Sequence, residues 1–380
     1  MIKNGFIFIL AFAISSISFA QEQAKKSIKL LFLGDIMGHG PQIKTAYNPL
    51  TKTYNYDPNY HYITSVLSNA DFTLGNLEVT LGVKPFTGYP TFSSPPELAV
   101  ATQNAGIDVL VTANNHSCDK RKKGVEKTIA VLDSLQIAHS GTFINQKVKD
   151  SLNPLILEKN DIKIAILNYT YGTNGIPATY PNIVNLLDKK TILKDIAQAE
   201  DKEPDQIIAF VHWGFQYKDL PNQEQKNWFQ FFKDNGVSIV IGSHPHVVQP
   251  MEWNKEENSL VVYSLGNFIS NQRTFPRDGG AVFELTLTKH QDKTSITDAN
   301  YQLTWVYKQQ IETYTEYYIL PVNEFEYKAH FFHNGNDYKK MMRYTKHART
   351  LLDEHNLNIP EQKPFTDGMF QLMRELYLNI

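Results

Sequence analysis

The sequence has little cysteine and no excess of charge of either sign. Cys118 is the single cysteine in 380 residues, which excludes an intramolecular disulfide framework and any cysteine-based zinc or iron–sulfur site. The 37 Lys and Arg residues are balanced by 39 Asp and Glu residues. General nucleic-acid binding therefore has no electrostatic basis, because nothing here would neutralise many phosphates at once. The sequence also has no internal repeat, low-complexity tract or obvious linker.

The chain does contain enough apolar sequence for a packed core. Hydrophobic residues make up 42% of it and aromatic residues 12%, a composition that rules out a largely disordered chain. At roughly 100–200 residues per domain, its length indicates two domains or one large α/β domain with an appendage.

The N-terminal segment has the pattern of a secretory signal peptide. Lys3 precedes the apolar run Gly5–Ile14, and Ser18-Phe19-Ala20 supplies a small-x-Ala cleavage site. The alternative is a membrane anchor, but the apolar run is short for a span of about 20 residues. We expect cleavage after Ala20 (signal peptide, residues 1–20). The mature chain would have no transmembrane span and would be exported, to the periplasm or outside the cell.

Strand-like apolar runs then alternate with amphipathic segments, which indicates α/β layers rather than a sandwich of strands or a helix bundle. The predicted strands are Ile28–Leu33, Asp71–Leu77, Asp108–Thr112, Lys163–Tyr169, Gln206–Val211 and Val237–Ile241. The predicted helices are Gly124–Leu135, Thr191–Ala199 and Gln223–Asn235.

The pattern changes in the last third of the chain. Leu260–Ser264 and Gly280–Leu287 are strand-like with no helix between them, and Tyr301–Leu320 is aromatic and alternating. These features predict an antiparallel continuation of the same core. From about Tyr338, scattered apolar residues predict C-terminal helices that pack on the domain; they include Leu351, Leu352, Phe370, Leu372 and Met373.

Most predicted strands end at a residue able to bind a metal. These residues are Asp35, Asn76, Glu78, Asn115, His116, His212, His244 and His246. Singly, such a residue is more often a turn former, a helix cap or a buried structural histidine. In α/β sheets, however, ligands collect at the carboxyl ends of strands. We therefore expect these side chains to converge.

The donor set predicts a site for two divalent metal ions. From among these eight residues, a set of two carboxylates, an amide oxygen and three imidazoles suits Mn, Fe, Co or Zn better than a soft metal. Six protein ligands exceed the need of one open site, so a pair of ions sharing a bridging carboxylate is more economical. Two dications against two carboxylates leave a positive pocket, which favours an anionic substrate.

Six blocks of the sequence resemble the CapA family. They are Gly34-Asp35-Ile36-Met37, Asn76-Leu77-Glu78, Ala113-Asn114-Asn115-His116, Val211-His212-Trp213-Gly214, Gly242-Ser243-His244-Pro245-His246 and Tyr263-Ser264-Leu265-Gly266-Asn267-Phe268. That family is associated with capsule and poly-γ-glutamate synthesis and belongs to the calcineurin-like metallophosphoesterase superfamily. The match runs from about Ile28 to Ile269, so it does not cover the C-terminal third.

The resemblance implies a four-layer α/β/β/α metallophosphoesterase-like sandwich, with C-terminal strands and helices appended. Residues 28–290 would form the CapA-like domain, and residues 291–380 an extension packed on it. By the superfamily pattern, Asp35 and His246 would bind one metal ion. Asn115, His212 and His244 would bind the other. Glu78 would be the bridging carboxylate, and His116 the proton donor to the leaving group.

The chain departs from the pattern of these relatives in three places. Met37 stands where the superfamily's first motif has histidine, as it does in CapA-like proteins, and His39 is a possible substitute. Gln216 replaces the glutamate that often follows Trp-Gly-x. The basic run 120–123 after Asp119 suggests either an anion-steering patch or, as charge runs more often are, a solvated segment leading into a helix.

Three functions remain open. The first is a metal-dependent hydrolase acting on a phosphoester or an amide of an anionic polymer or a small anionic molecule. The second is a non-catalytic subunit of the machinery that synthesises or exports a cell-surface polymer. The third is an enzyme of metal-assisted proton transfer with His116 as the acid or base. Nucleophilic catalysis by Cys118 is disfavoured because the sequence offers no activating arrangement.

Overall fold

The structure, a computed structural model, describes residues 26–312 and 314–362. The predicted signal peptide and the C-terminal residues Phe370, Leu372 and Met373 lie outside this part of the chain.

The first sheet is mixed and contains eight strands. They are β1 (Lys26–Ile36), β4 (Phe72–Leu77), β7 (Val109–Val111), β8 (Ala138–Ser140), β17 (Asn267–Ile269), β18 (Gly279–His290), β19 (Lys293–Ile311) and β20 (Tyr314–Pro321). Their order is β20-β19-β18-β1-β4-β7-β8, and β17 also pairs with β1. Neighbours from β1 to β8 are parallel, whereas β18, β19 and β20 continue the sheet as antiparallel neighbours on the other side of β1.

The second sheet has six strands. They are β10 (Leu155–Lys159), β11 (Ile162–Thr170), β13 (Gln206–His212), β14 (Ile239–Ser243), β15 (Met251–Asn254) and β16 (Ser259–Val262). The order is β10-β11-β13-β14-β16-β15, with a parallel block from β11 to β16. Three short pairs lie outside the large sheets: β2 (Tyr47–Asn48) with β3 (Thr53–Tyr54), β5 (Thr80–Leu81) with β6 (Ser93–Ser94), and β9 (Thr142–Phe143) with β12 (Ile183–Val184).

Nine α-helices connect these strands in the described part of the chain. They are α1 (Gly40–Ala46), α2 (Thr64–Leu67), α3 (Glu97–Asn104), α4 (Arg121–Ser134), α5 (Gln146–Leu152), α6 (Lys189–Glu200), α7 (Gln223–Asp234), α8 (Val322–Phe325) and α9 (Gly335–His355). Short 3₁₀ helices span Asp57–Tyr60 and Ala329–Phe331. Side-chain caps fix four of these helix starts: Asn145 before α5, Asp188 before α6, Asn222 before α7 and Asn334 before α9 each accept a hydrogen bond from a backbone amide of the first turn.

The two sheets pack face to face, with helices on both outer faces. Phe32 of β1 points to the second sheet, where its ring meets Phe210 of β13 at 6.1 Å. Its neighbours Leu31 and Leu33 point the other way, into a cluster that includes Leu98 of α3 and Leu132 of α4. On the far side of the second sheet, Ala165 and Leu167 of β11 form an apolar cluster with residues of two helices. These are Ile192 and Ile196 of α6 and Phe232 of α7. The predicted α/β/β/α layering is therefore confirmed.

The C-terminal third builds on the first sheet. Tyr301–Leu320, taken from the sequence as one alternating run, forms parts of two antiparallel strands, β19 and β20, because the chain reverses near Glu312. Helix α9 packs its apolar face onto the core, and the Tyr344 hydroxyl donates to the Gly280 carbonyl at 2.9 Å. The domain boundary at residue 290 falls in the turn between β18 and β19 and stays a prediction. No helix within the described ranges is long and apolar enough to cross a membrane.

Candidate metal centre

The carboxyl ends of the parallel strands of both sheets lie at one edge of the molecule. Asp35 near the end of β1 is level with Asn76 on β4 and with Asn267 on β17. In the second sheet, His212 at the end of β13 is level with Ser243 at the end of β14. The loop after β4 carries Glu78, the loop after β7 carries Asn115, and the loop after β14 carries His244 and His246. All six residues predicted to bind metal are buried.

One half of the centre is built around His212. Its Nε2 atom lies 3.0 Å from His244 Nδ1 and 3.0 Å from Asn115 Oδ1. On the other side of the ring, His212 Nδ1 lies 3.1 Å from the Ser243 hydroxyl, a partner that fixes the ring orientation. The pKa values of His212 and His244 are held well below the usual range, first by burial and then by the charge of neighbouring histidines. Both imidazoles are therefore neutral, the form that binds a metal ion.

The other half contains Asp35 and His246. Asp35 Oδ2 lies 3.0 Å from His246 Nδ1, and the Asn76 amide donates to Asp35 Oδ1 at 2.8 Å. Asn267 Oδ1 lies 3.1 Å from the same His246 nitrogen. The other ring nitrogen, His246 Nε2, lies 3.7 Å from Glu78 Oε1.

Glu78 joins the two halves. Its Oε1 atom lies 3.6 Å from His212 Nε2 as well as near His246. Two groups of donor atoms, each within 4.8 Å of one another, share this residue: Glu78 with His244 and His246, and Glu78 with Asp35 and His212. Both oxygens of the fully buried carboxylate lack a hydrogen-bond partner. The pKa of Glu78 is raised well above its usual value, first by burial and then by the negative charge of Asp35.

These observations are those expected of a site that could hold divalent cations. A buried carboxylate without partners is costly, and the cost is offset when a cation accepts its lone pairs. His244 and His246 also have backbone φ angles of 99° and 57°. Such left-handed conformations cost non-glycine residues about 1–3 kcal/mol and cluster at functional sites. The donor set is therefore compatible with divalent metal binding.

His116 lies beside these ligands and is held from two directions. Its Nδ1 atom is 2.7 Å from Asp119 Oδ2, and its ring meets Phe92 edge to face at 4.6 Å. Asp119 also accepts from the Phe92 amide at 2.6 Å. The Asn114 side chain shapes the loop, because it accepts from the His116 amide and donates to the Leu77 carbonyl. The imidazole is thus fixed, with Nε2 left for another partner.

Neither Met37 nor His39 lies among the grouped ligands. Met37 is buried in the apolar cluster between the first sheet and its helices. His39 precedes α1, where its Nδ1 atom lies 3.2 Å from Gln42 Oε1. Burial is the main cause that lowers the pKa of His39 to about 4, with smaller contributions from the charges of His246 and His116.

The basic run after Asp119 is exposed for three of its four residues. Lys120 is half-buried and donates to the Thr91 hydroxyl at 3.3 Å, while Arg121 begins α4. Lys122 pairs with Glu126 one turn later at 3.9 Å. This arrangement favours the solvated helix start over an anion-steering patch.

A cavity of about 360 Å³ opens beside His244. Tyr171, Phe215 and Trp228 contribute aromatic walls, and Gln216 and Glu224 contribute polar groups. The Tyr171 ring packs on His244 at 4.6 Å. Tyr180, in contrast, is 91% exposed and does not line this cavity.

Residues 29–272 match the family model described as bacterial capsule synthesis protein PGA_cap. The chain belongs to the PGA_cap family. It is 28% identical over 263 residues to the capsule biosynthesis protein CapA of Bacillus anthracis, covering 66% of this chain and 62% of that protein. The PGA biosynthesis protein CapA of Bacillus subtilis is 26% identical over 296 residues, 73% of each chain. The resemblance to the CapA family is thus confirmed, although the chain spans less than two thirds of the length of the Bacillus anthracis relative.

Among solved structures, the chain is similar to the calcineurin-like phosphoesterase YfkN of Bacillus subtilis. The sequence identity is 13% and the TM-score 0.45, with 85% of this chain and 98% of that chain covered.

Several residues that shape the centre of this PGA_cap protein had no role assigned from the sequence. Asn267 orients His246, Ser243 orients His212, and Asp119 orients His116. A weak signal existed for each. Ser243 and Asn267 stand inside the blocks that carry the family resemblance, and Asp119 stands three residues after His116.

Proposed function

We propose that the protein is a metal-dependent hydrolase that cleaves a phosphoester or an amide bond in an anionic cell-surface polymer. The observation that carries this proposal is the buried Glu78 carboxylate, shared by two groups of ligands and lacking hydrogen-bond partners. The charged form of such a buried side chain is costly, and bound cations would offset that cost.

In this proposal, Asp35 and His246 hold one divalent ion, and Asn115, His212 and His244 hold the other. Glu78 contacts both. The short distances, 3.0 Å between Asp35 and His246 and 3.0 Å between His212 and His244, support this division. The donor groups within 4.8 Å of one another cross it, because they join His244 with His246 and Asp35 with His212, as two adjacent ion positions would require. When bound, two such ions would supply Lewis-acid stabilisation of the oxygens that attack and leave. Mn, Fe, Zn and Co all suit the donor set.

His116 is proposed as the proton donor to the leaving group. Asp119 Oδ2 at 2.7 Å accepts from Nδ1–H and orients the ring, so the proton given to the leaving group would be the one carried on Nε2 when both ring nitrogens are protonated. Phe92 packs edge to face on the ring and limits its rotation. A residue that transfers a proton must be held in this way because its reach is one hydrogen bond.

The substrate class follows from the family and from the charge of the centre. The two Bacillus relatives are named for capsule and PGA biosynthesis. Two dications against the carboxylates Asp35 and Glu78 would leave net positive charge, which favours an anionic group. We further propose that residues 1–20 direct export to the periplasm or the cell exterior, where a surface polymer is accessible. Machinery for polymer synthesis or export is a possible partner.

One observation favours the second candidate, a non-catalytic assembly subunit. The first superfamily motif has Met37 in place of a ligand histidine, and this side chain packs in the apolar core. One metal position therefore has fewer protein ligands than the other. This observation suits a subunit that only assembles polymer machinery, because such a subunit functions without a complete metal position and without an oriented proton donor.

An activity screen on the metal-loaded protein distinguishes the two. Purified residues 21–380 are loaded with Mn²⁺ and assayed on phosphomonoesters, phosphodiesters and γ-glutamyl amides. The proposal expects turnover on at least one class, lost after chelation and in Glu78→Gln. Absence of turnover on every class, in a sample with full metal content, would favour the assembly subunit. Sequencing the mature N-terminus of the protein from fractionated cells tests export; a cytoplasmic product that still begins at Met1 would contradict it.

A further inference from the structure

Arg277 lies at the edge of the metal centre without an acidic partner. In the described part of the chain, its guanidinium forms no ion pair with a carboxylate, and its Nε atom is buried with no hydrogen-bond partner. The neighbouring Arg273 differs, because its guanidinium lies 3.8 Å from Asp278 and over the ring of Trp305. Among the described residues, no carboxylate therefore compensates the charge of the Arg277 guanidinium.

Tyr217 connects Arg277 to a proposed metal ligand. The guanidinium carbon lies 3.3 Å from the centre of the Tyr217 ring, a close cation–π contact. The same ring stacks on His246, with 5.9 Å between ring centres and 29° between planes. Tyr217 has a backbone φ of 67° and donates its amide to the Pro245 carbonyl at 2.8 Å. A non-glycine residue is rarely held in that conformation, and here it places the ring against both partners.

A second connection runs through Asn267. Its side-chain amide donates to the Arg277 carbonyl at 2.8 Å, while its Oδ1 atom faces His246 Nδ1 at 3.1 Å. The same amide donates to Gln272 Oε1 at 3.2 Å and so fixes the position of the segment before Arg277. The position of Arg277 is therefore fixed relative to His246 by a stacked ring and by a buried amide.

A held, uncompensated guanidinium is suited to bind an anion. Its planar fork donates paired hydrogen bonds to carboxylate or phosphate, and partial removal from water strengthens those bonds. We propose that Arg277 binds a second anionic group of the substrate, next to the group held at the metal centre. This inference rests on the proposed function, and it identifies the substrate as a molecule with at least two neighbouring anionic groups. Carboxylate and phosphate share the chemistry that Arg277 recognises.

The test measures binding rather than turnover. Mn²⁺-loaded protein is titrated in a calorimeter with tri-γ-L-glutamate, tripolyphosphate and inorganic phosphate. We expect Arg277→Gln to weaken the binding of one or both oligoanions by roughly tenfold or more. Binding of inorganic phosphate should stay within about twofold, because a single anion is held by the metal centre alone. The oligoanion that is more affected identifies the source of the second anionic group.

Matched variants separate this role from a structural one. Arg277→Lys keeps the charge but loses the planar fork, so we expect intermediate affinity. Arg343→Gln removes an exposed guanidinium that lies 3.9 Å from the ring of Phe275, and it should bind as the wild type does. Equal melting temperatures establish that the variants are folded. Oligoanion affinities unchanged in Arg277→Gln, or a wild type that binds neither oligoanion, would overturn the assignment. Metal content measured on the same samples distinguishes that result from failure of the proposed function, since a wild type that binds no metal contradicts the latter.

Discussion

The Nε2 atom of His212 lies 3.0 Å from the Nδ1 atom of His244. The two residues belong to neighbouring parallel strands of the second sheet: His212 ends β13, and His244 directly follows β14. Both rings are neutral because burial lowers their pKa values. Two facing imidazole nitrogens share at most one proton, whereas a metal ion accepts lone pairs from both. The register of two strands thus brings together two imidazole nitrogens that could hold a metal ion.

Replacing His116 should separate proton transfer from metal binding. His116→Asn should keep the metal and the fold and slow turnover by roughly 10²–10⁴-fold, the usual contribution of a positioned acid or base. The measurement is turnover and metal content on one sample, with any substrate found for the wild type. Full turnover in this variant would end the assignment of His116 as proton donor.

Asp119→Asn is the companion variant. It retains a side chain that accepts from the Phe92 amide but removes the charge 2.7 Å from His116 Nδ1. We expect slower turnover, a loss no larger than that of His116→Asn, and unchanged metal content. A loss of metal instead would mean that the pair supports the ligands and does not transfer a proton.

Cys118 should be inert in the folded protein. Burial, with a smaller contribution from the charge of Asp119, raises the pKa of its thiol to about 11. Because the thiolate is the nucleophile, iodoacetamide at pH 8 should label the native protein very slowly and the urea-unfolded protein completely. Mass spectrometry of the labelled chain checks this. Rapid labelling of the native protein would contradict a buried, neutral thiol and reopen nucleophilic catalysis.

The C-terminal region should depend on Arg349. Its guanidinium lies 2.6 Å from Glu326 and 2.7 Å from Glu361, so it joins α9 to the segments on either side. These hydrogen bonds raise the pKa of Arg349 against the opposing effect of burial, which is the larger single cause. Arg349→Met should lower the free energy of unfolding by about 1–3 kcal/mol, since a buried carboxylate (Glu326) and a half-buried one (Glu361) lose their partner.

Urea denaturation measures that loss, and Lys340→Met is the matched control. Lys340 belongs to the same helix and pairs with Asp337 at 2.9 Å, but its side chain is 53% exposed. Exposed pairs contribute roughly 0–1 kcal/mol, so this variant should be close to wild type. Equal effects of the two substitutions would show that the Arg349 network adds nothing beyond a surface pair.

The sequence predicted the elements that depend on periodicity and the polar residues that lie at strand ends. Alternating strands and helices indicated the two parallel blocks, and their carboxyl ends carry Asp35 and His212 as expected. Periodicity does not show which single polar side chain meets another across the fold. The contacts of Asn267 with His246 and with the Arg277 carbonyl join a strand residue to two loop residues, which no local sequence pattern links.

The sequence pattern also did not show where the backbone reverses or which side chains bond at a helix start. The alternation of Tyr301–Leu320 suits a strand on either side of Glu312, so the pattern gave no position for the turn between β19 and β20. His39 was a possible ligand by composition, yet Gln42 three residues later binds its ring at the start of α1. Local hydrogen bonding thus outweighed the chemistry of the residue type.

Metal content is the most direct test of the central claim. Elemental analysis of purified wild-type protein should find one to two transition-metal ions per chain, the range for a two-metal site in which one position has fewer ligands. His212→Ala and His244→Ala should each lower that content strongly, because each removes one of two imidazoles that lie 3.0 Å apart. His139→Ala, which removes a histidine paired with Asp133 on the first-sheet side, should leave the content unchanged. Wild-type metal content in both His212→Ala and His244→Ala would contradict the account.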